Sequence, residues 1–235
     1  MLHNYAPEVQ RRALLEALQY EWGGSLYKFA KYGLGYKDIN LRTHGDMIEL
    51  LESDIPGKCV VMPRGTFKSS VCSVANPIWK LIKDPNRRIL LDSEIYTNSK
   101  NFLREIKAHM KRPLLASVFG DFEGDVWNEG EITIAQRTKI LKEASITCSG
   151  IGAIKVGQHY DDIIGDDYNS GNNSATTEGR QKVIEHVKMN MAILEPGGSY
   201  TLVGTRYAVD DAIGWALENL VGGKWAKNRG LLASS

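Results

Sequence analysis

Four short apolar runs separated by much longer helical stretches are what most constrain the fold of this chain. Cys59–Met62, Arg88–Leu91, Ile163–Ile164 and Tyr200–Val203 are each only a few residues long. A strand buried on both faces reads as such a run, and helices between the runs are what cover those faces. Leu103, Ile106 and Met110 share one helical face, as do Val183, Val187, Met191 and Leu194. Residues 211–221 read as a closing helix, and short strands are expected at 131–134 and 145–148 inside the polar, glycine-rich stretch 113–150. The pattern predicts an α/β protein with a mostly parallel central sheet flanked by helices. Before residue 55 the apolar residues recur only at helical spacing: Val9, Ala13, Ala17 and Tyr20, then Leu26, Phe29, Ala30 and Leu34, then Met47, Leu50 and Leu51. A small helical N-terminal region (1–54) and a core (55–235) follow from that change of texture.

Composition narrows the functional classes. With 29 Lys+Arg against 28 Asp+Glu, the net charge of +1 excludes a simple polycationic binder of nucleic acid, though not a local basic patch. Cys59, Cys72 and Cys148 are too far apart for a zinc knuckle or a disulfide framework and suit a reducing compartment. No apolar run reaches the ~18 residues of a membrane span, and Met1-Leu2-His3-Asn4 does not open a signal peptide. A membrane is therefore not an expected partner.

The first run leads into Pro63-Arg64-Gly65-Thr66-Phe67-Lys68-Ser69-Ser70 and then a helical stretch. Strand, loop, Lys-Ser and helix is the layout of a P-loop, in which backbone N–H groups at a helix N-terminus cradle phosphates. Lys68 is placed to meet the β- and γ-phosphates of ATP, and the Ser69 hydroxyl to ligate Mg2+. Residues 64–70 together form the candidate nucleotide cradle. The usual glycines are missing, since G-x-x-x-x-G-K-[ST] puts them where this chain has Met62 and Phe67. A proline-initiated turn with a lone lysine is the competing reading of the loop alone. The third run ends in Asp166-Asp167. Beside a P-loop the first carboxylate would hold Mg2+ and the second would orient or deprotonate the attacking water. Asp161 and Asp162 are expected to precede the strand and face solvent. The fourth run ends in Gly204-Thr205-Arg206, where Thr205 or Arg206 can sense the γ-phosphate. Gly165, inside a strand, predicts close approach of another group to the backbone.

Taken together these segments resemble the large terminase subunits of tailed bacteriophages, the motors that package DNA into procapsids. Pro63-Arg64-Gly65-x-x-Lys68-Ser69 is similar to their deviant Walker A, and Asp162-Ile163-Ile164-x-Asp166-Asp167 to their Walker B. Ser93-Glu94-x-Tyr96-Thr97 with Asn101-Phe102-Leu103 resembles their segment after the second strand. Ser174 through Arg180 resembles the helix after Walker B, and Gly204-Thr205-Arg206-Tyr207 with Asp210-Asp211 their coupling motif. The likeness runs from residue 44 to about 225. It implies a P-loop fold of the RecA-like (ASCE) kind and a Mg2+-dependent ATPase that drives translocation of double-stranded DNA. It also implies a portal protein and a small terminase subunit as partners, and a homo-oligomeric ring on the portal with a possible monomer in solution. The implied location is the host cytoplasm. Asp167 stands where many relatives carry the longer Glu. The C-terminal nuclease domain usual in the family is expected to be absent, so no nuclease activity is expected.

The resemblance gives Arg64 a γ-phosphate role within its own subunit, against an ion pair to Asp92 or Glu94. It makes Lys155 and Arg206 candidates for a cation reaching the next subunit. It places His44 and Asp46 where relatives contact the base, although a helix cap fits them as well. Lys107, Lys111 and Arg112 are either backbone contacts to DNA or an ordinary basic helix end. Asp121, Glu123 and Asp125 read as an acidic surface loop. A helicase-like translocase and a non-hydrolysing nucleotide-binding scaffold remain alternatives, the second because of Phe67.

Overall fold

The computed structural model describes residues 7–153 and 157–220; Lys155 and everything beyond residue 220 lie outside them. Helical segments open the chain: α1 (Pro7–Gly24), α2 (Leu26–Lys28), which runs on as a π-helical turn over Phe29–Gly33, and α3 (Leu41–Glu52). Asn40 starts α3 by accepting the Thr43 N–H at 2.9 Å. Strand β1 (Gly57–Val61) then leads through a loop into a π-helical turn, Ser70–Ala75, that continues as α4 (Asn76–Lys83). After it come β2 (Ile89–Ser93), α5 (Tyr96–Met110), α6 (Pro113–Phe119), β3 (Glu123–Trp127), β4 (Glu131–Ile134), β5 (Ile146–Gly150) and β6 (Tyr160–Asp166). The chain closes with α7 (Gly171–Ser174), α8 (Thr177–Ala192), β7 (Leu194–Gly204) and α9 (Ala212–Asn219).

The strands form a single seven-stranded sheet in the order β1-β7-β6-β2-β5-β4-β3. The first five run parallel, and β4 and β3 add an antiparallel edge. Both faces are covered, as the continuous apolar runs require. Ile89, Leu91 and Ile164 point into a core shared with Trp22, Phe29, Leu51, Val71, Ile78 and Leu103. Leu90, Ile163 and Leu202 point the other way, into a core with Val183, Val187, Met191 and Ile213 from α8 and α9. The opening helices belong to the first core. The Trp79 indole of α4 donates to the Trp22 carbonyl at 3.1 Å, joining them to the layer that follows the loop.

The sequence reading differs from the structure in three places, the smallest being Leu194, which opens β7 instead of continuing the face of α8. The stretch 113–150 holds a helix and a strand that the pattern did not show. Helix α6 is seven residues long and buries only Leu115 and Val118, too short to display a period. Strand β3 is an edge strand carrying Glu123 and Asp125, so the expected acidic loop is a ladder with an ion pair from Lys111 to Glu123 at 2.7 Å. The other basic residues near the end of α5 are likewise held within the chain. Lys107 reaches the Asn128 carbonyl at 3.0 Å, and Arg112 the Leu34 carbonyl at 2.8 Å.

The third difference concerns Asp161 and Asp162, which lie inside β6 and do not face solvent ahead of it. Asp161 is half-buried against the Arg88 guanidinium, at 2.9 and 3.0 Å. Asp162 is fully buried and accepts from Lys80 at 2.7 Å, Arg87 at 2.7 Å and Ser199 at 2.6 Å. Charges taken out of water need such partners, and removing one partner leaves the others uncompensated. Asp162→Ala should therefore lower the free energy of unfolding by about 3 kcal/mol, read as a lower urea midpoint at unchanged slope.

Candidate nucleotide site

Parallel pairing brings four strand ends into one row. Val61 of β1 pairs with Gly204 of β7, Val203 with Asp166 of β6, and Asp166 with Ser93 of β2. The loop after β1, the two acids after β6 and the Thr-Arg pair after β7 thus meet at the carboxyl edge of the sheet, where open α/β sheets bind ligands. Strand β7 lies between the strand that enters the loop and the strand that ends in Asp166.

The loop turns at Gly65, whose φ of 79° suits glycine. The Thr66 hydroxyl donates to the Pro63 carbonyl at 2.7 Å, and the Val71 N–H to the Phe67 carbonyl at 3.0 Å, which begins the helix. Phe67 occupies the position where a P-loop expects glycine, and its φ of 56° is left-handed all the same. The backbone there takes a conformation that glycine ordinarily supplies, and the Phe67 side chain is 39% exposed. From below, His44 of α3 supports the turn. Its Nε2–H donates to the Thr66 carbonyl at 3.0 Å while Nδ1 accepts the Asn40 N–H at 3.2 Å. Buried His44 thus braces the loop, and Asp46 is exposed on the same helix.

Asp166 is the centre of the site. The Ser69 hydroxyl donates to its Oδ1 at 3.2 Å and the Ser73 hydroxyl to its Oδ2 at 2.5 Å. Ser73 was not singled out from the sequence. Its signal is the spacing Ser69-x-x-x-Ser73, one helical turn, which puts both hydroxyls on one face. Burial pushes the Asp166 carboxyl up to about 6; the Asp167 charge adds to this, and the two serines and the Lys68 ammonium oppose it. Lys68 is itself buried. Asp167 is exposed, with a φ of 54° and its N–H bonded to the Val203 carbonyl at 2.9 Å.

The other candidates fall around this centre. Thr205 has a buried hydroxyl with no hydrogen-bond partner among the described residues. Arg64 donates to the Tyr207 hydroxyl at 2.5 Å, bridging the loop to the segment after β7. The expected alternative, an ion pair to Asp92 or Glu94, is not formed. Asp92 is engaged with His186, and Glu94 accepts from Ser170 at 2.6 Å and Asn173 at 3.1 Å. Arg206 folds onto the carbonyls of Ala208 at 3.2 Å and Val209 at 2.9 Å. Buried Asp211 caps α9 through the Gly214 N–H and also accepts from Tyr207 and Ala208.

No family model and no curated protein matches the chain. Among solved structures it is similar to a variant of the DEAD-box helicase Dbp5 from S. cerevisiae, solved with Nup159, a Gle1 variant, IP6 and ADP. The TM-score is 0.52 at 11% identity, over 84% of this chain and 49% of that one. The fold is RecA-like. This chain spans about half the length of that neighbour. No helix among the described residues is long and apolar enough to cross a membrane.

The residues present fit a Mg2+-nucleotide. A hydroxyl and a carboxylate converge, a buried lysine lies beside them, and an unpartnered hydroxyl is left at Thr205. Among the described residues no three His, Cys, Asp or Glu side chains gather, so phosphate oxygens and water would complete the metal's shell.

The loop and the acid can be tested separately. A left-handed non-glycine residue costs roughly 1–2 kcal/mol, and glycine's extra unfolded-state freedom offsets about 0.5–1 kcal/mol of any relief. Phe67→Gly should melt no lower than the parent, and Phe67→Val, β-branched at positive φ, should melt lower. For Asp166 the raised pKa sets the sign: the ionised form is disfavoured in the fold. In metal-free protein the contribution of Asp166 to stability therefore falls as pH rises from the ordinary carboxylate range through about 6. In EDTA near neutral pH, Asp166→Asn should be more stable than the parent by on the order of 2–3 kcal/mol, with the two converging near about pH 4.

Proposed function

We propose that this chain is a Mg2+-dependent ATPase, and within that class the motor domain of a tailed-phage terminase large subunit. The observation that carries the ATPase reading is the meeting of the Lys68-Ser69 helix start with Asp166 and Asp167 at one sheet edge. The terminase reading rests on the sequence resemblance and on Arg64 within the loop.

Each residue then has a chemical task. Backbone N–H groups from Gly65 to Ser70 receive the phosphates at the helix start, where the helix dipole favours negative charge. Lys68 neutralises the β- and γ-phosphate oxygens. Ser69 and Asp166 hold the metal, which when bound offsets charge on the phosphate oxygens. Asp167, exposed beside Asp166, accepts the proton of the attacking water. It is one methylene shorter than Glu, so that water sits closer to the strand end. Thr205 offers its hydroxyl to the γ-phosphate or to the water. Arg64 offers its guanidinium to the γ-phosphate while Tyr207 holds its Nη2.

In this reading hydrolysis drives double-stranded DNA through a ring assembled on a portal, with a small terminase subunit delivering the DNA. DNA contacts would go to the phosphate backbone, since a packaging motor cannot depend on sequence. Arg206 and Lys155 remain candidates for the cation offered to a neighbouring subunit. Residues 1–54 would serve as a helical lid or subdomain of the ATPase core, and the host cytoplasm is the proposed location. The fold likeness to Dbp5 favours a second reading, a helicase-like translocase.

Lys68→Ala should abolish ATP hydrolysis, measured by phosphate release. Asp167→Asn should keep nucleotide affinity while kcat falls by roughly 10²–10⁴-fold. Unchanged kcat in both variants removes the ATPase reading. A strand-displacement assay separates the finer readings. The terminase reading expects no unwinding, with turnover per subunit rising on addition of portal and double-stranded DNA; unwinding of a duplex selects the helicase.

A further inference from the structure

Asp167 projects from the sheet edge with a left-handed backbone, and the residue that follows it is among the most firmly held in the molecule. The hydroxyl end of the Tyr168 ring packs on Gly165, where an added Cβ would meet it at 2.4 Å. Its hydroxyl lies 3.1 Å from the Asn190 Nδ2, which donates to it, and 3.3 Å from the Tyr200 hydroxyl. Its carbonyl accepts from Asn173 at 2.6 Å, and its ring meets the His186 imidazole edge-on, with centroids 5.5 Å apart. Asn190 and His186, both on α8, also bind the buried carboxylate of Asp92 on β2, at 2.6 and 2.8 Å. Tyr168, Tyr200, Asn190, His186 and Asp92 are all buried, and Asn173 is half-buried.

The alternation of the strands explains the arrangement. Along β6 and β2, Asp166 faces the helix that follows the loop, while Gly165 and Asp92 face α8. Tyr168 must fold back under the sheet to fill the space that Gly165 leaves. That return places the single residue between Asp166 and Tyr168 at the turn. With Asp166 tied to Ser69 and Ser73, and Tyr168 tied to β7 and α8 and through Asn190 to β2, the Asp167 backbone has little freedom.

We propose that Tyr168 is a positioning residue: its hydroxyl, anchored through Asn190 to the buried Asp92, fixes the direction in which Asp167 offers its carboxylate to water. The inference rests on the ATPase reading above. An acid shortened by one methylene has less reach to correct a misplaced backbone, so the brace under it matters more than it would under Glu.

The test is a double-mutant cycle on the full chain, using Mg2+-ATP. Tyr168→Phe keeps the ring over Gly165 and removes only the hydroxyl, so the fold is expected to survive; its circular dichroism and melting curve are recorded alongside. In the parent background kcat should fall about tenfold, as expected when a catalytic group is misplaced, with the KM for ATP within about twofold. In the Asp167→Asn background the same substitution should leave kcat unchanged, because there is no carboxylate left to aim. Tyr200→Phe, which leaves the bond from Asn190 to the Tyr168 hydroxyl in place, should have a smaller effect than Tyr168→Phe. Equal losses of kcat in both backgrounds, or no loss in either, overturn the positioning role and leave the ATPase reading intact. A parent protein that hydrolyses no ATP overturns the ATPase reading, and this role with it.

Discussion

The structure depends on parallel registration of β1, β7, β6 and β2. Because these strands share a direction and a register, Val61, Gly204, Asp166 and Ser93 end in one row. Loops from opposite ends of the chain meet there without any element reaching across the fold. Insertion of β7 between β1 and β6 sets the spacing. Ser69 and Ser73, one turn apart on the helix after the loop, bridge it to Asp166.

Both apolar layers are needed to hold that edge. The first, with the opening helices and the helix after the loop, presses the serines toward β6. The second, with α8 and α9, supports β6 and β7 from the far side. Between them the site carries unfavourable features: Asp166 ionised in a buried place, and left-handed backbone at Phe67 and Asp167. Such features persist only where the surrounding packing over-determines them, and they gather where chemistry is done. Polar networks do the same for strands. Asp162 with Lys80 and Arg87 secures one end of β6, and Asp92 with His186 and Asn190 secures the other face of β2.

Local pattern made much of this legible. The runs at Cys59, Arg88, Ile163 and Tyr200 became β1, β2, β6 and β7, because a strand covered on both faces carries a short run of consecutive apolar residues. Lys68-Ser69 and Asp166-Asp167 were legible because their chemistry is tied to strand ends. Less legible were α6 and β3, one too short to show a period and the other an edge strand free to carry acids. Asp162 misled because a charged residue inside a buried strand is credible only once its partners, 82 and 75 residues away in sequence, are seen beside it.

The sequence by itself determined the alternation of strand and helix, the helix start at Lys68, and the acids that close β6, because each depends on neighbours only a few residues apart. Tertiary structure decided the rest. The left-handed turn at Phe67 follows from the loop's closure onto His44 and Asp166, against the residue's own preference. Ser73 joined the site when its helix packed on β6, and Tyr207 came to Arg64 from 143 residues away. Tyr168 found its place only because Gly165, Tyr200 and Asn190 surround one space. These are contacts between residues distant in sequence, and local propensity carries no information about which distant group will share a buried volume.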